Sequence, residues 1–325
     1  MMIGKPHISL ARIVHIAKTF CAYEKILPPE EFLFPVKQYF PVGAPEAIDH
    51  FFFATLQHCG LHRLAYRPDL AANAWTRPIT GSARDWPRGS NLICSLAHDA
   101  LARDPDVFRP DRLARISFPE FMRIFSDASG PIPLSDIGER WQLTRSYGAW
   151  FTASALTPRT LIERCATLPD PVAALFSMLS LIPGFREDPL RSKATRLARF
   201  LTMRPEHFLR PSDVLRSAVI LDEDLVRIVL RMGMVVLGPH ERGDNILRKE
   251  LRPQVAERIR AAAAFAALAL SDKAKIAIAR TEYVMKTLGT TCSESTTPGC
   301  NICSFAQGCK KDTLAFQGIL RTTAF

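Results

Sequence analysis

The stretch Leu181-Ile-Pro-Gly-Phe-Arg-Glu-Asp-Pro-Leu-Arg-Ser-Lys193-Ala194 reads as a helix end, a tight turn and a second helix start within 14 residues. Pro183-Gly184 ends the first helix, and Asp188-Pro189 opens a basic second one. Backbone N–H groups released in such a turn and at the following helix start are donors for a phosphate, and Arg191 and Lys193 add positive charge beside them. An ordinary turn between two helices carries the same signature, so both readings stand at this level.

On either side of the turn, apolar residues recur at three- and four-residue intervals in 161–181, 194–201, 225–232 and 255–270, while strand-like alternation is scarce. The fold class expected is all-α. Prolines such as Pro105, Pro110, Pro158, Pro169, Pro171, Pro205 and Pro211 fall between the periodic segments, where helices must stop or start. Ser117-Phe-Pro-Glu120 is a capping-box pattern with proline in the first turn. The alanine run 261–269 suits a closely packed helix. A coarse boundary near residues 152–160 gives three expected parts: an aromatic-rich helical part over 1–155, an arginine-rich helical region over 156–290, and a cysteine loop with its tail over 291–325.

Beyond the turn lies Val219-Ile-Leu-Asp222-Glu-Asp-Leu-Val-Arg227-Ile-Val-Leu-Arg-Met-Gly233. An apolar entry leads to a carboxylate at the start of a helix whose Leu225, Ile228, Val229 and Met232 share a face. Asp222 is then an N-cap, or a carboxylate held at a pocket rim, or both, since a capping aspartate is fixed in place and kept ionised by the helix dipole.

Cys292, Cys300, Cys303 and Cys309 follow as a C-x7-C-x2-C-x5-C run packed into 18 residues. Thiolates so closely spaced can converge on one centre, either an iron-sulfur cluster or a structural zinc. Four protein ligands leave no open position for substrate, so the centre is expected to hold shape rather than react. Cys21, Cys59, Cys94 and Cys165 stand singly in apolar stretches, as packing residues do. Without a recognisable leader or a run of 18 apolar residues, the expectation is a cytoplasmic chain with no membrane partner, in a compartment where clustered cysteines mean metal. Nothing in the sequence sets the oligomeric state. The net charge of +10 and pI near 9.4 suit an anionic partner such as nucleic acid. Arg186, Arg191, Lys193, Arg196, Arg199 and Arg204 form its densest stretch, with a solvated helix face as the plain alternative.

The order of these segments, a Pro-Gly hairpin, a helix-opening aspartate and a four-cysteine loop, resembles the helix-hairpin-helix base-excision DNA glycosylases of the endonuclease III and adenine-glycosylase kind. The likeness covers about Leu175 to Cys309, with one residue more in the first cysteine gap than the family's C-x6-C. It implies Asp222 as the catalytic aspartate, Pro183 and Gly184 in the hairpin, Arg191 and Lys193 at phosphate, and a [4Fe-4S] cluster on the four cysteines. The family hairpin reads Leu-Pro-Gly-Val-Gly, whereas Phe185-Arg186 stand here. Lys193 is either the lyase lysine of bifunctional members or a solvated charge or phosphate contact.

A second likeness starts further upstream. Phe121-Met-Arg-Ile-Phe-Ser-Asp127-Ala-Ser-Gly-Pro-Ile-Pro-Leu134, then Glu139-Arg140 and Tyr147-Gly148, is similar to the queuosine-salvage N-glycosylase family. Phe185 to Asp188, Lys193-Ala194 and Leu221-Asp222 also match it, which implies one domain with the aspartate again in the active site. Both resemblances imply hydrolysis of an N-glycosidic bond, in DNA first and in a modified nucleotide otherwise. A silent nucleic-acid-binding scaffold remains the reading from a different class. Phe53, Trp75, Trp86 and Trp141 are candidates to stack a departing base or to fill the core, and His58 and His62 share a helical turn.

Overall fold

A computed structural model describes residues 6–23, 40–59, 90–127, 130–132, 134, 136–246, 251–293 and 295–316. In chain order it begins with β1 (His7–Ile8), α1 (Leu10–Tyr23), α2 (Ala47–Leu56), α3 (Ser90–Arg103), α4 (Pro110–Leu113) and α5 (Phe118–Ile124). The pair β2 (Ser126–Asp127) and β3 (Gly130–Pro131) precedes α6 (Ile137–Ala153), α7 (Pro158–Ala166), α8 (Pro171–Leu179) and α9 (Ser192–Met203). The rest is α10 (Glu223–Arg231), β4 (Val235–Val236), α11 (Pro239–Ile246), α12 (Pro253–Ala274) and α13 (Ile278–Thr291). Apart from two antiparallel two-stranded pairs the described architecture is helical, as the apolar periodicity predicts. No helix among the described residues is long and apolar enough to cross a membrane.

Two compact units divide the chain, one made of Met1–Leu33 with Arg216–Leu320 and the other of Phe34–Leu215 with Arg321–Phe325. This division differs from the expected parts: α6 and α7, on either side of residue 155, belong to the same unit, while the other, discontinuous unit joins the start of the chain to a segment some 180 residues later. Pairing across long sequence separations carries no local signature, so this division has no counterpart in the composition of the chain.

In the discontinuous unit α1 lies along α12, and β1 pairs with β4 in the register His7↔Val236 and Ile8↔Val235. The contact surface explains the alanine run. Ala263, Ala266, Ala267 and Leu270 are fully buried at helical spacing, the small alanines permit a close approach of helices, and Ile13, Ile16, Ala17 and Phe20 form the buried face of α1.

The unit that holds Phe34–Leu215 is built around α2. Its Phe51, Phe52 and Phe53 are all fully buried although they point in three directions, so the helix is apolar on every side and enclosed by its neighbours. Phe51 stacks on Phe200 with ring centroids 4.8 Å apart, Phe52 meets Phe151 and Phe185 edge-on, and Phe53 stacks on Phe108 at 4.0 Å. Helix starts behave as their residues dictate. Ser117 and Glu120 close the capping box of α5, Thr157 and Thr160 do the same at α7, and Asp170 caps α8 through Ala173 N–H with Pro171 at the first position.

Candidate functional site

Asp222 occupies the N-cap of α10. Its backbone is extended (φ −104°, ψ 174°) and its Oδ1 accepts the Leu225 N–H at 2.9 Å, satisfying one of the helix's free amides. Val219, Ile220 and Leu221 ahead of it are buried, and the Ile220 N–H is held by Glu282 Oε1 at 2.7 Å, so the entry into the cap is fixed by the core. The carboxylate is half-buried, and its second oxygen has no hydrogen-bond partner among the described residues. Of the two sequence readings the cap is realised, and it leaves one oxygen for another task.

Asp224, which the sequence reading passed over, lies one turn from Arg227 and pairs with its guanidinium. Burial pushes the Asp224 carboxyl up, the charge of Asp222 pushes it further, and Arg227 works against both. The space exists because Gly289 of α13 faces it: a Cβ there would stand 2.6 Å from the carboxyl carbon of Asp224.

The four cysteines 292, 300, 303 and 309 come together on one cavity, with Ile228 and Arg231 of α10, Met232 at its C-cap, and Leu288 and Thr291 of α13 as its inner wall. All four are half-buried free thiols. Burial raises the Cys309 thiol, the Lys311 N–H lowers it, and the neighbouring Cys292, Cys303 and Cys300 raise it again. No set of three or more His, Cys, Asp or Glu side chains among the described residues converges as a single metal ion would need.

The surrounding donors suit sulfur that carries negative charge. Lys311 N–H points at Cys309 Sγ at 3.3 Å, and a guanidinium nitrogen of Arg231 stands 3.5 Å from Cys292 Sγ. Arg227 Nε donates to the Cys292 carbonyl at 3.0 Å. The loop is organised by more than its cysteines: Phe305 is buried against Phe20 with centroids 4.9 Å apart, and Arg12 of α1 donates to the Gly308 carbonyl at 2.6 Å. Hydrogen-bond donors thus reach two of the four sulfurs, those of Cys292 and Cys309.

The Pro183-Gly184 turn belongs to the unit built around α2 and is itself buried. Gly184 has φ +90°, and a Cβ there would lie 2.3 Å from a methyl of Leu56, so only glycine suits the position. Its N–H goes to Glu187 Oε2 at 2.6 Å, and the Phe185 and Arg186 N–H groups go to the Ile182 carbonyl.

Lys193 corrects the reading of a solvated charge. It is 2% exposed, and its Nζ donates to the carbonyls of Leu56 at 3.2 Å and Gly184 at 3.1 Å, while its own N–H is held by Asp188 Oδ2 at 2.9 Å. Burial lowers the ammonium's pKa, opposed by Cys59 and Asp188. Arg140 donates to the carbonyls of Gln57 (2.5 Å) and Cys59, so two buried cations cap the C-terminal end of α2, where the helix dipole favours positive charge.

The same correction covers the densest basic stretch. Arg196, Arg199 and Arg204 are buried with Lys193, and only Arg186 and Arg191 remain exposed. Arg204 stacks over Phe51 and holds the Phe40 and Pro41 carbonyls and Glu206. Arginine letters alone could not reveal this; the flanking Ala194, Leu197, Ala198, Phe200 and Leu201 are the signal of an enclosed helix.

Phe53 is core, and Trp141 is half-buried with its Nε1–H on the Ile116 carbonyl at 2.8 Å. His58 is half-buried; Trp75, Trp86 and His62 lie outside the described residues. Among the cysteines expected to be packing residues, Cys59, Cys94 and Cys165 are buried, whereas Cys21 is exposed with its thiol on the Ala274 carbonyl. Gly148 of the upstream likeness is a contact point, since a Cβ there would fall 2.4 Å from the Ala114 nitrogen. No protein-family model matches this chain and no curated protein does either, so its function is argued from geometry.

Proposed function

We propose that the chain hydrolyses an N-glycosidic bond, with base excision from DNA as the first substrate class. The observation that carries the reading is Asp222: a carboxylate pinned at a helix start by Leu225 N–H, with its other oxygen unengaged among the described residues. Cleavage of such a bond passes through an oxocarbenium-like state, which a fixed carboxylate stabilises while orienting or deprotonating water. The helix that bears Asp222 also carries Arg227 and Arg231 to the cysteine loop, which ties the aspartate's helix to that loop.

Cys292, Cys300, Cys303 and Cys309 would hold the [4Fe-4S] cluster, with a structural zinc as the alternative. When bound, such a group cross-links the loop and supplies a compact anionic charge.

A second substrate class, a modified nucleoside or nucleotide as in queuosine salvage, is favoured by one specific observation. The hairpin amides of Gly184, Phe185 and Arg186 are engaged internally and Lys193 is buried, so the usual means of gripping a duplex phosphate is not displayed there.

Asparagine caps a helix as well as aspartate does, so Asp222→Asn removes the charge and keeps the cap. Base release from a panel of damaged-base duplexes and from queuosine 5′-phosphate should fall on the order of 10²-fold or more in this variant, with helical content unchanged. Release that is equal in both proteins removes Asp222 from the mechanism. Salt-dependent duplex binding with no release from any substrate assigns the chain as a silent scaffold.

A further inference from the structure

Arg231 lines the cavity on which the four cysteines meet. It is 1% exposed at the end of α10, and its five N–H donors all meet acceptors of the segments flanking the cysteine cavity. Nε donates to Ala315 O at 2.9 Å; one terminal nitrogen donates to Ser293 O at 2.7 Å and faces the sulfur and carbonyl of Cys292 at 3.5 Å. The other donates to Ser295 O at 2.7 Å and Thr313 O at 3.2 Å. The guanidinium face covers Phe316 at 4.9 Å. One side chain thus joins the chain entering the loop, residues 292–295, to the chain leaving it, residues 313–315.

None of those acceptors is a carboxylate. Asp312, whose N–H meets the Arg231 carbonyl, has its own side chain paired with Arg242 at 2.7 Å, and Asp224 is paired with Arg227. A buried cation surrounded by neutral carbonyls costs several kcal/mol unless negative charge lies close by. The four thiols of the cavity that Arg231 lines are the groups placed to supply it.

We propose that Arg231 is the positioning residue of the cysteine site: its guanidinium clamps both ends of the loop and provides the charge against which an anionic, thiolate-bound centre assembles and is retained. The inference rests on the proposed metal occupancy of the four cysteines, and it assigns Arg231 a role that the likeness of the cysteine spacing does not contain. Removing an outer partner of a metal ligand lowers metal affinity by about 10- to 100-fold. The loss is graded by what the replacement retains, because lysine keeps the charge without the fork and methionine keeps neither.

The test uses the full chain, purified anaerobically and reconstituted with iron and sulfide. Iron and acid-labile sulfide per chain, the visible spectrum and the rate of bleaching by a chelator are read for wild type, Arg231→Lys and Arg231→Met. The expected order of release is wild type slowest, Arg231→Lys faster, and Arg231→Met faster by about 10- to 100-fold or unable to load, with circular dichroism unchanged. Should Arg231→Met not fold, the comparison of Arg231→Lys with wild type decides, and equal release rates there overturn the inference. Wild-type loading and release in Arg231→Met overturns it too while leaving the metal reading intact. A wild-type chain that takes up neither iron nor zinc removes the metal reading itself, and the role of Arg231 falls with it.

Discussion

Asp49 and His50 are neighbours on α2 whose ionisation is shifted in opposite senses by the same cause. Burial, reinforced by Glu46 and opposed by Arg159, raises the Asp49 carboxyl from 3.8 to about 6. Burial, with His98 and Arg204 adding to it, lowers the His50 imidazole from 6.5 to about 3. His50 stacks on Phe40 at 4.7 Å, and its two ring nitrogens have no hydrogen-bond partner among the described residues. The folded chain keeps a proton on Asp49 that the unfolded chain releases, so this contribution is present below about pH 4 and is lost as pH rises to about 6. It refuses a proton on His50 that the unfolded chain takes, so that contribution is present above about pH 6.5 and is lost as pH falls toward 3. The Asp49 contribution is worth on the order of 3 kcal/mol and that of His50 on the order of 5 kcal/mol, and between pH 4 and 6 they oppose one another. Urea unfolding at pH 4, 5 and 6 should therefore show stability that rises with pH in Asp49→Asn and falls with pH in His50→Leu. Wild-type slopes in both variants would remove the explanation. Lys193→Met belongs at this scale as well: it strips the Leu56 and Gly184 carbonyls of their donor and should cost about 2–4 kcal/mol in the same measurement.

At the scale of elements, two glycines separate backbone strain from steric contact. Gly43 has φ +82° with open space where a Cβ would go, so Gly43→Ala carries only the left-handed penalty of about 1 kcal/mol. Gly148 sits inside α6 with the backbone of α4 against it: Ala114 N, Pro110 O and the Leu113 carbonyl carbon lie 2.4, 2.6 and 2.8 Å from the added carbon. Backbone cannot rotate aside as a side chain can, so Gly148→Ala must separate the two helices. A loss of about 3 kcal/mol or more is expected in thermal or denaturant unfolding. Capping was readable from the letters, since Ser117, Thr157 and Asp170 act within three residues of themselves. The inward turn of α9 was not readable, because the burial of Arg196 and Arg199 depends on the helices that surround it.

For the whole molecule, the discontinuous unit makes the N-terminal helix part of the cysteine site. Arg12 bridges Met232 and Gly308, and Phe20 fills the space beside Phe305, across sequence separations of 220 residues and more. Phe20→Ala should loosen the loop and speed release of the proposed metal centre by a chelator, although Phe20 is far from the four cysteines in sequence; release at the wild-type rate would show that the loop stands without α1. The basic surplus also changes meaning at this scale. Arg140, Lys193, Arg196, Arg199, Arg204, Arg227 and Arg231 are buried, so the net charge of +10 overstates what the surface offers to a polyanion.

What the sequence determined alone is everything that acts over a few residues: the helical class through its apolar period, the caps, the glycine-requiring turn at Gly184, and the set of four closely spaced thiols. What only the tertiary structure decided is where charge resides and what it touches. Lys193 and Arg140 close the end of α2, Arg231 braces the cysteine loop, and α1 joins a unit whose remainder lies some 200 residues later. The physical reason is that a cation's energy depends on its dielectric surroundings and its nearest acceptors, and both are supplied by segments far away in the chain.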